Sequence, residues 1–86
     1  MMSVTRRSAE LAAVARASML RMAKAWQTVG QINQAVDAYA SLVARSPNSA
    51  EAQEAADRLV ALAQAYEQQG RFHLALGLYQ KVERLA

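Results

Sequence analysis

Several residue types that carry chemistry are absent from this sequence or nearly so: it has no cysteine, one histidine and three glycines. The lack of cysteine excludes disulfides, thiolate catalysis and cysteine-ligated metal, and it leaves the redox compartment open. The one histidine, His73, has no acidic residue at a metal-ligand spacing. Gly30, Gly70 and Gly77 stand apart from one another, so they form no glycine-rich phosphate loop. We therefore expect no metal, no cofactor and no enzyme activity.

Long apolar runs are also missing. No stretch reaches the about 18 consecutive apolar residues that suggest a membrane span, so we expect none and place the protein in the cytoplasm. Positive charge is concentrated in residues 1–45, where six Lys or Arg and two acids give +4, whereas four basic residues and five acids give −1 over residues 46–86. A solvated basic helix face explains this asymmetry, and the alternative is a basic module that binds an acidic polymer or a membrane surface. Nucleic acid ranks below a protein partner, because no nucleic-acid motif is visible.

What the sequence does contain is alanine and a helical spacing of apolar residues. Alanine loses no side-chain entropy in a helix, and Pro47 is the one strong breaker. Apolar residues three and four apart predict four helices, at about 5–29, 31–45, 48–69 and 71–86. We expect Gly30 and Gly70 to end the first and third helices with positive φ. Asn48, with Glu51 three residues later, is predicted to open the third helix as a capping box.

The chain repeats itself after forty residues. The first copy contains Ala23, Trp26, Gly30, Ile32, Ala35 and Tyr39, and the second contains Ala63, Tyr66, Gly70, Phe72, Ala75 and Tyr79. Each copy predicts the end of one helix, a glycine turn and the start of a second helix. The predicted fold class is therefore all-α, with two helical hairpins at about 5–46 and 48–86 in a single domain of residues 1–86. Trp26 and Tyr66 are expected in the core, where the helices of each hairpin cross.

These residues and their spacing resemble tetratricopeptide repeats, and Pro47 also matches the pattern of that family. The resemblance implies four antiparallel helices stacked as a right-handed solenoid. One departure is the period, because forty residues exceed the family's usual length of about 34. We place about six extra residues at the start of the third helix. The Ala-rich first halves of the first and third helices are expected to pair with each other.

The resemblance further implies a protein-interaction scaffold, an adaptor or assembly factor whose groove binds a helix or peptide of a protein partner. The first helix of each hairpin would line this groove. Mapped onto this sequence, the groove residues are Ala17, Leu20, Lys24, Gln27, Thr28, Asp57, Val60, Gln64, Glu67 and Gln68. Among them only Lys24 suits the clamping of a carboxylate, so that mode of binding is not favoured. The alternative is that these residues only solvate the scaffold.

The last helix carries more apolar residues than its hairpin needs. One face is predicted to hold Leu74, Leu78 and Leu85, where the first copy has Gln34, Ala38 and Arg45. The face toward the hairpin partner is assigned to Phe72, Ala75, Leu76, Tyr79 and Val82. We expect no further repeat or capping helix after Ala86 to cover the leucines, and Gly77 permits close approach of another backbone. We therefore expect an oligomer or partner interface there, and favour a homodimer because two-fold dimers are the commonest oligomers.

Overall fold

The computed structural model describes residues 2–85, with the side chains of residues 6–85. It contains four helices: α1 (Met2–Thr28), α2 (Ile32–Arg45), α3 (Ala50–Gln68) and α4 (Phe72–Leu85). No strand occurs in residues 2–85, so the all-α prediction is confirmed. α1 packs against α2, α3 packs against α4, and the two hairpins are joined because α2 also packs against α3.

The same turn closes α1 and α3. Gly30 and Gly70 have φ values of +83° and +75°, as predicted. In each turn the amide after the glycine donates to a carbonyl five residues back, at 2.8 Å in both cases: Gln31 N to Trp26 O, and Arg71 N to Tyr66 O. The glycine amide donates to the carbonyl three residues back, at 3.2 Å in the first turn and 3.0 Å in the second. These two bonds form a Schellman motif, which ends a helix at a residue of left-handed conformation.

The start of α3 differs from the prediction by one residue. Ser49, not Asn48, is the N-cap, and its side-chain oxygen accepts a hydrogen bond from the Ala52 amide at 3.1 Å. The Ser49 hydroxyl also donates to the Ser46 carbonyl at 2.7 Å. The chain turns tightly after Pro47, and the Ser49 amide bonds to the Ser46 carbonyl at 3.0 Å. Asn48 therefore lies one residue before the N-cap.

The core is built from many small residues and a few large ones. Tyr39 and Leu59 are the largest side chains that are fully buried. Buried hydrophobic residues come from all four helices: Leu20, Ala23, Ala35, Val36, Ala38, Tyr39, Leu42, Ala52, Ala55, Leu59, Ala63, Ala75 and Leu78. Alanine at a helix crossing shortens the distance between helix axes, which depends on the side chains at the contact. Trp26 and Tyr66, which were expected in the core, are half-buried and pack against it.

The first half of α1 is the most exposed part of that helix. Residues 6–15 are all exposed, because α1 has 27 residues and its partner α2 has only 14. Glu51, in the first turn of α3, bonds to Arg16 of α1 at 3.2 Å. α3 therefore begins level with Arg16 and has no residue beside the earlier part of α1. The predicted pairing of the first halves of these two helices is wrong.

Candidate interaction surfaces

Two predicted groove residues, Gln27 and Glu67, are bonded inside their own hairpins. The Tyr39 hydroxyl donates to Gln27 Oε1 at 2.6 Å, and the Tyr79 hydroxyl donates to Glu67 Oε1 at 2.8 Å. Each bond ties the end of the first helix of a hairpin to the second helix. The hydrogen bond to the Glu67 carboxylate raises the pKa of Tyr79 above its usual value. Both groove side chains therefore also stabilise the fold.

Two basic residues of α1 reach across to α3. Lys24 Nζ pairs with Glu54 Oε2, and Arg16 Nε donates to Glu51 Oε1 at 3.2 Å. The hydrogen bond from Lys24 holds the pKa of Glu54 below its usual value, and the charges of Lys24 and Arg58 act in the same direction. Ion pairs between exposed side chains contribute little to stability, because water and salt screen them. Lys24 is thus directed at a carboxylate of its own chain rather than at an open groove.

The other predicted groove residues are divided between the core and the surface. Leu20 is only 9% exposed and belongs to the core cluster, so its placement on the groove surface is wrong. The half-buried residues of the set include Ala17 and Val60, and the exposed ones include Thr28, Asp57, Gln64 and Gln68. The groove surface is therefore mostly polar. A role of these residues in binding a partner stays a prediction.

α4 is turned differently from the prediction. Leu78 is 8% exposed and Leu85 is half-buried, and both pack in the core. Phe72 and Leu76, which were assigned to the hairpin contact, are instead 65% and 55% exposed. The reason is that α4 packs on α2 as well as on α3, which brings the Leu78 side inward. The predicted stripe of three exposed leucines is therefore wrong for Leu78 and Leu85.

The remaining residues of that predicted interface do lie at the surface. Leu74 is 45% exposed, and Gly77 is exposed as well. Apart from Gly77, its chain neighbours and the adjacent backbone of α4, no atom lies within 4 Å of the position that a Cβ at Gly77 would occupy. Nothing within the described chain thus requires glycine there. Participation of Leu74 and Gly77 in an interface stays a prediction.

A second apolar surface, which the sequence reading missed, runs along α1. We call it the α1 stripe: it comprises Leu11, Val14, Met22 and Val29, which are 62%, 61%, 50% and 70% exposed. With about 3.6 residues per turn, Leu11, Val14 and Met22 lie on one side of α1, and Val29 directly follows the end of that helix. A comparison of the two copies could have revealed this surface. The second copy has Glu51 and Glu54 where the first has Leu11 and Val14, so these positions are polar in one copy and apolar in the other.

A family model of the tetratricopeptide repeat matches residues 17–49. These residues span the second half of α1, the glycine turn, α2 and the linker to α3. Residues 17–49 are thus similar to a tetratricopeptide repeat. The second hairpin repeats the glycine turn and the tyrosine bond of the matched tetratricopeptide repeat, forty residues later. The exposed first half of α1 lies ahead of the matched region.

No curated protein and no solved structure matches the chain. Across residues 2–85, no helix combines the length and the hydropathy that are needed to cross a membrane. Within the same described residues, no group of three or more His, Cys, Asp and Glu is placed to hold a metal ion. The tetratricopeptide repeat is generally a non-catalytic module of protein–protein interaction.

Proposed function

We propose that this protein is a cytoplasmic protein-interaction scaffold, an adaptor or assembly factor that binds a helix or peptide of another chain. The observation that carries the proposal is the location of the exposed large hydrophobic residues. In the described chain they are Leu11, Val14, Met22, Val29, Phe72, Leu74 and Leu76. All lie on α1 or α4 or directly beside them, and none lies on α2 or α3. Exposed apolar patches on a small protein mark interaction sites.

The exposed surfaces of α1 and α4 are better candidates for partner binding than the predicted groove. Gln27 and Glu67 are engaged by tyrosines, and Lys24 is engaged by Glu54. Val60 and Gln64 remain as candidate contacts. Phe72, Leu74 and Leu76 are exposed on α4. Binding of a partner or of a second copy is therefore favoured at α1 and α4 over binding in the groove.

The alternative, a basic module for acidic polymers or membrane surfaces, is weakened by the ion pairs. Arg16 and Lys24 are two of the six basic residues in the first half of the chain, and both are bonded to glutamates of α3. Binding to a polyanion falls steeply with added salt, because it releases counterions. Apolar contacts do not weaken in this way, so the salt dependence of binding separates the two functions.

Photo-crosslinking in the native host tests the proposal directly. A photoreactive residue would replace Met22 or Leu76, both half-exposed or more, and Asp37 on the exposed side of α2 would be the control position. We expect discrete crosslinks to a protein from position 22 or 76, insensitive to moderate salt, and none from position 37. Crosslinks only to nucleic acid or lipid would support the basic module instead. Equal crosslinking from all three positions would contradict a specific surface.

A further inference from the structure

The packing of the second hairpin on the first supplies a template for the outer surface of α4. α3 packs on α2, and Val36 and Tyr39 of α2 are 8% and 0% exposed. The equivalent residues of α4, forty positions later, are Leu76 and Tyr79. Leu76 is 55% exposed and Tyr79 is only half-buried. α4 therefore presents the face with which α2 receives the following hairpin, and no described residue covers it.

The α1 stripe is the counterpart of that face. α3 approaches the first hairpin through Glu51 and Glu54, which bond to α1, and through Leu62, which packs against the core. The equivalent residues of α1 are Leu11, Val14 and Met22, and all three belong to the exposed α1 stripe. α1 therefore presents the face that α3 uses to stack on the preceding hairpin.

We infer that copies of this chain stack head to tail, with α3 and α4 of one copy against the α1 stripe of the next. The contact would continue the α2–α3 packing from one molecule to the next, and it makes a second copy a partner of the scaffold proposed above. Because the two surfaces differ, the contact is heterologous, and a stack of any length keeps one free face at each of its ends. Assembly then proceeds beyond a dimer as the concentration rises.

The charges support a second copy as the occupant. Inside the chain, Arg16 and Lys24 of α1 bond to Glu51 and Glu54 of α3. Between copies, α3 would take the place of α1, and Ala56 and Gln64 would stand where Arg16 and Lys24 stand.

The opposite side of the contact changes to match. The next α1 would bring Leu11 and Val14 to the positions of Glu51 and Glu54. Both partners of each ion pair are thus replaced together by uncharged residues, so at these two positions stacking leaves no carboxylate without a cation. An α4–α4 homodimer would leave the α1 stripe uncovered, and an α1–α1 homodimer would leave Phe72 and Leu76 uncovered.

Two variants that each block one face test the arrangement by analytical ultracentrifugation. Met22→Lys places a charge in the α1 stripe, and Leu76→Lys places one on α4. Both sites are exposed, so each variant should keep the helix content of the wild type by circular dichroism and should melt like it at concentrations where the wild type is monomeric. We expect the wild-type mass to rise with concentration beyond a dimer, and each variant alone to be a monomer. An equimolar mixture should form one species of twice the monomer mass, because each variant keeps the face that the other lacks. Asp37→Lys serves as the matched charge control and should assemble like the wild type.

The remaining outcomes overturn the inference. A wild type that stays monomeric at high micromolar concentration excludes self-stacking. If Met22→Lys still dimerises and only Leu76→Lys is monomeric, the contact is a two-fold α4 dimer; the reverse result indicates a two-fold α1 dimer. A mixture that stays monomeric excludes the head-to-tail contact. None of these results bears on crosslinks to other proteins, so the scaffold function is tested separately.

Discussion

Tyr39 and Tyr79 occupy the same position in the two hairpins and make the same hydrogen bond, yet Tyr39 is fully buried and Tyr79 is only half-buried. The hydrogen bond therefore forms within a single hairpin, whereas the burial of the tyrosine depends on the packing of a second hairpin against the first. Tyr39 is covered because the second hairpin packs on α2. The difference between the two tyrosines leads to the first prediction.

Tyr39→Ala should destabilise the protein far more than Tyr79→Ala. Removal of a large buried side chain costs about 3–5 kcal/mol, because a cavity remains. Tyr79 loses less contact area, so we expect about 1–2 kcal/mol for its replacement, in the ordinary range of single substitutions. Urea unfolding of both variants at low protein concentration measures the difference. Equal losses would show that the second hairpin does not cover Tyr39.

Alkaline pH should destabilise the fold through Tyr39. Burial raises the pKa of Tyr39 above its usual value; the charge of Arg58 opposes this effect and the charge of Glu54 adds to it. Because the folded-state pKa is raised, this contribution to stability is complete below the unfolded pKa of about 10 and is lost as the pH rises through the folded pKa. Tyr39→Phe should therefore lose less stability between about pH 9 and pH 11 than the wild type. Urea unfolding across this range, with tyrosinate absorbance as a second readout, measures the effect, and an unchanged pH profile would argue against the burial of Tyr39.

Glycine-to-alanine substitutions should have opposite signs at Gly30 and Gly77. Gly30 has a φ of +83°, so alanine there should cost about 1–2 kcal/mol of left-handed strain. Gly77 lies inside α4 with open space around its Cβ position, so alanine there should stabilise the helix by up to about 1 kcal/mol. Thermal unfolding compares the two. If Gly77→Ala keeps this gain but weakens assembly, Gly77 lies in a contact between chains.

The N-cap of α3 can be tested by two neighbouring substitutions. Ser49→Ala removes the side-chain acceptor of the Ala52 amide and should cost about 1 kcal/mol. Asn48→Ala removes no cap and should change the free energy of unfolding by less than about 0.5 kcal/mol. Chemical denaturation of both variants distinguishes them. If Asn48→Ala lowered the free energy of unfolding more than Ser49→Ala, Asn48 would be the N-cap, as the sequence predicted.

Local features were predictable because they depend on a few neighbouring residues. The glycines at positions 30 and 70 end helices because only glycine readily adopts positive φ there. The spacing of apolar residues predicted four helices, and the recurrence of Trp26 and Tyr39 as Tyr66 and Tyr79 predicted two equivalent hairpins. The N-cap was missed by one residue, because the turn after Pro47 could not be placed from the pattern of side-chain types alone.

The sequence by itself determined the four helices, their glycine turns and the repeated hairpin, because helical periodicity and positive φ are local properties of the chain. Only the tertiary structure decided which side of each outer helix faces inward. α4 has apolar residues on several sides, from Phe72 and Leu76 to Leu78 and Leu85, so its own pattern fits more than one orientation. Packing against α2 selected the Leu78 side. In the same way, the length of α2 and the level at which α3 begins left the first half of α1 exposed, since both depend on contacts between residues far apart in sequence.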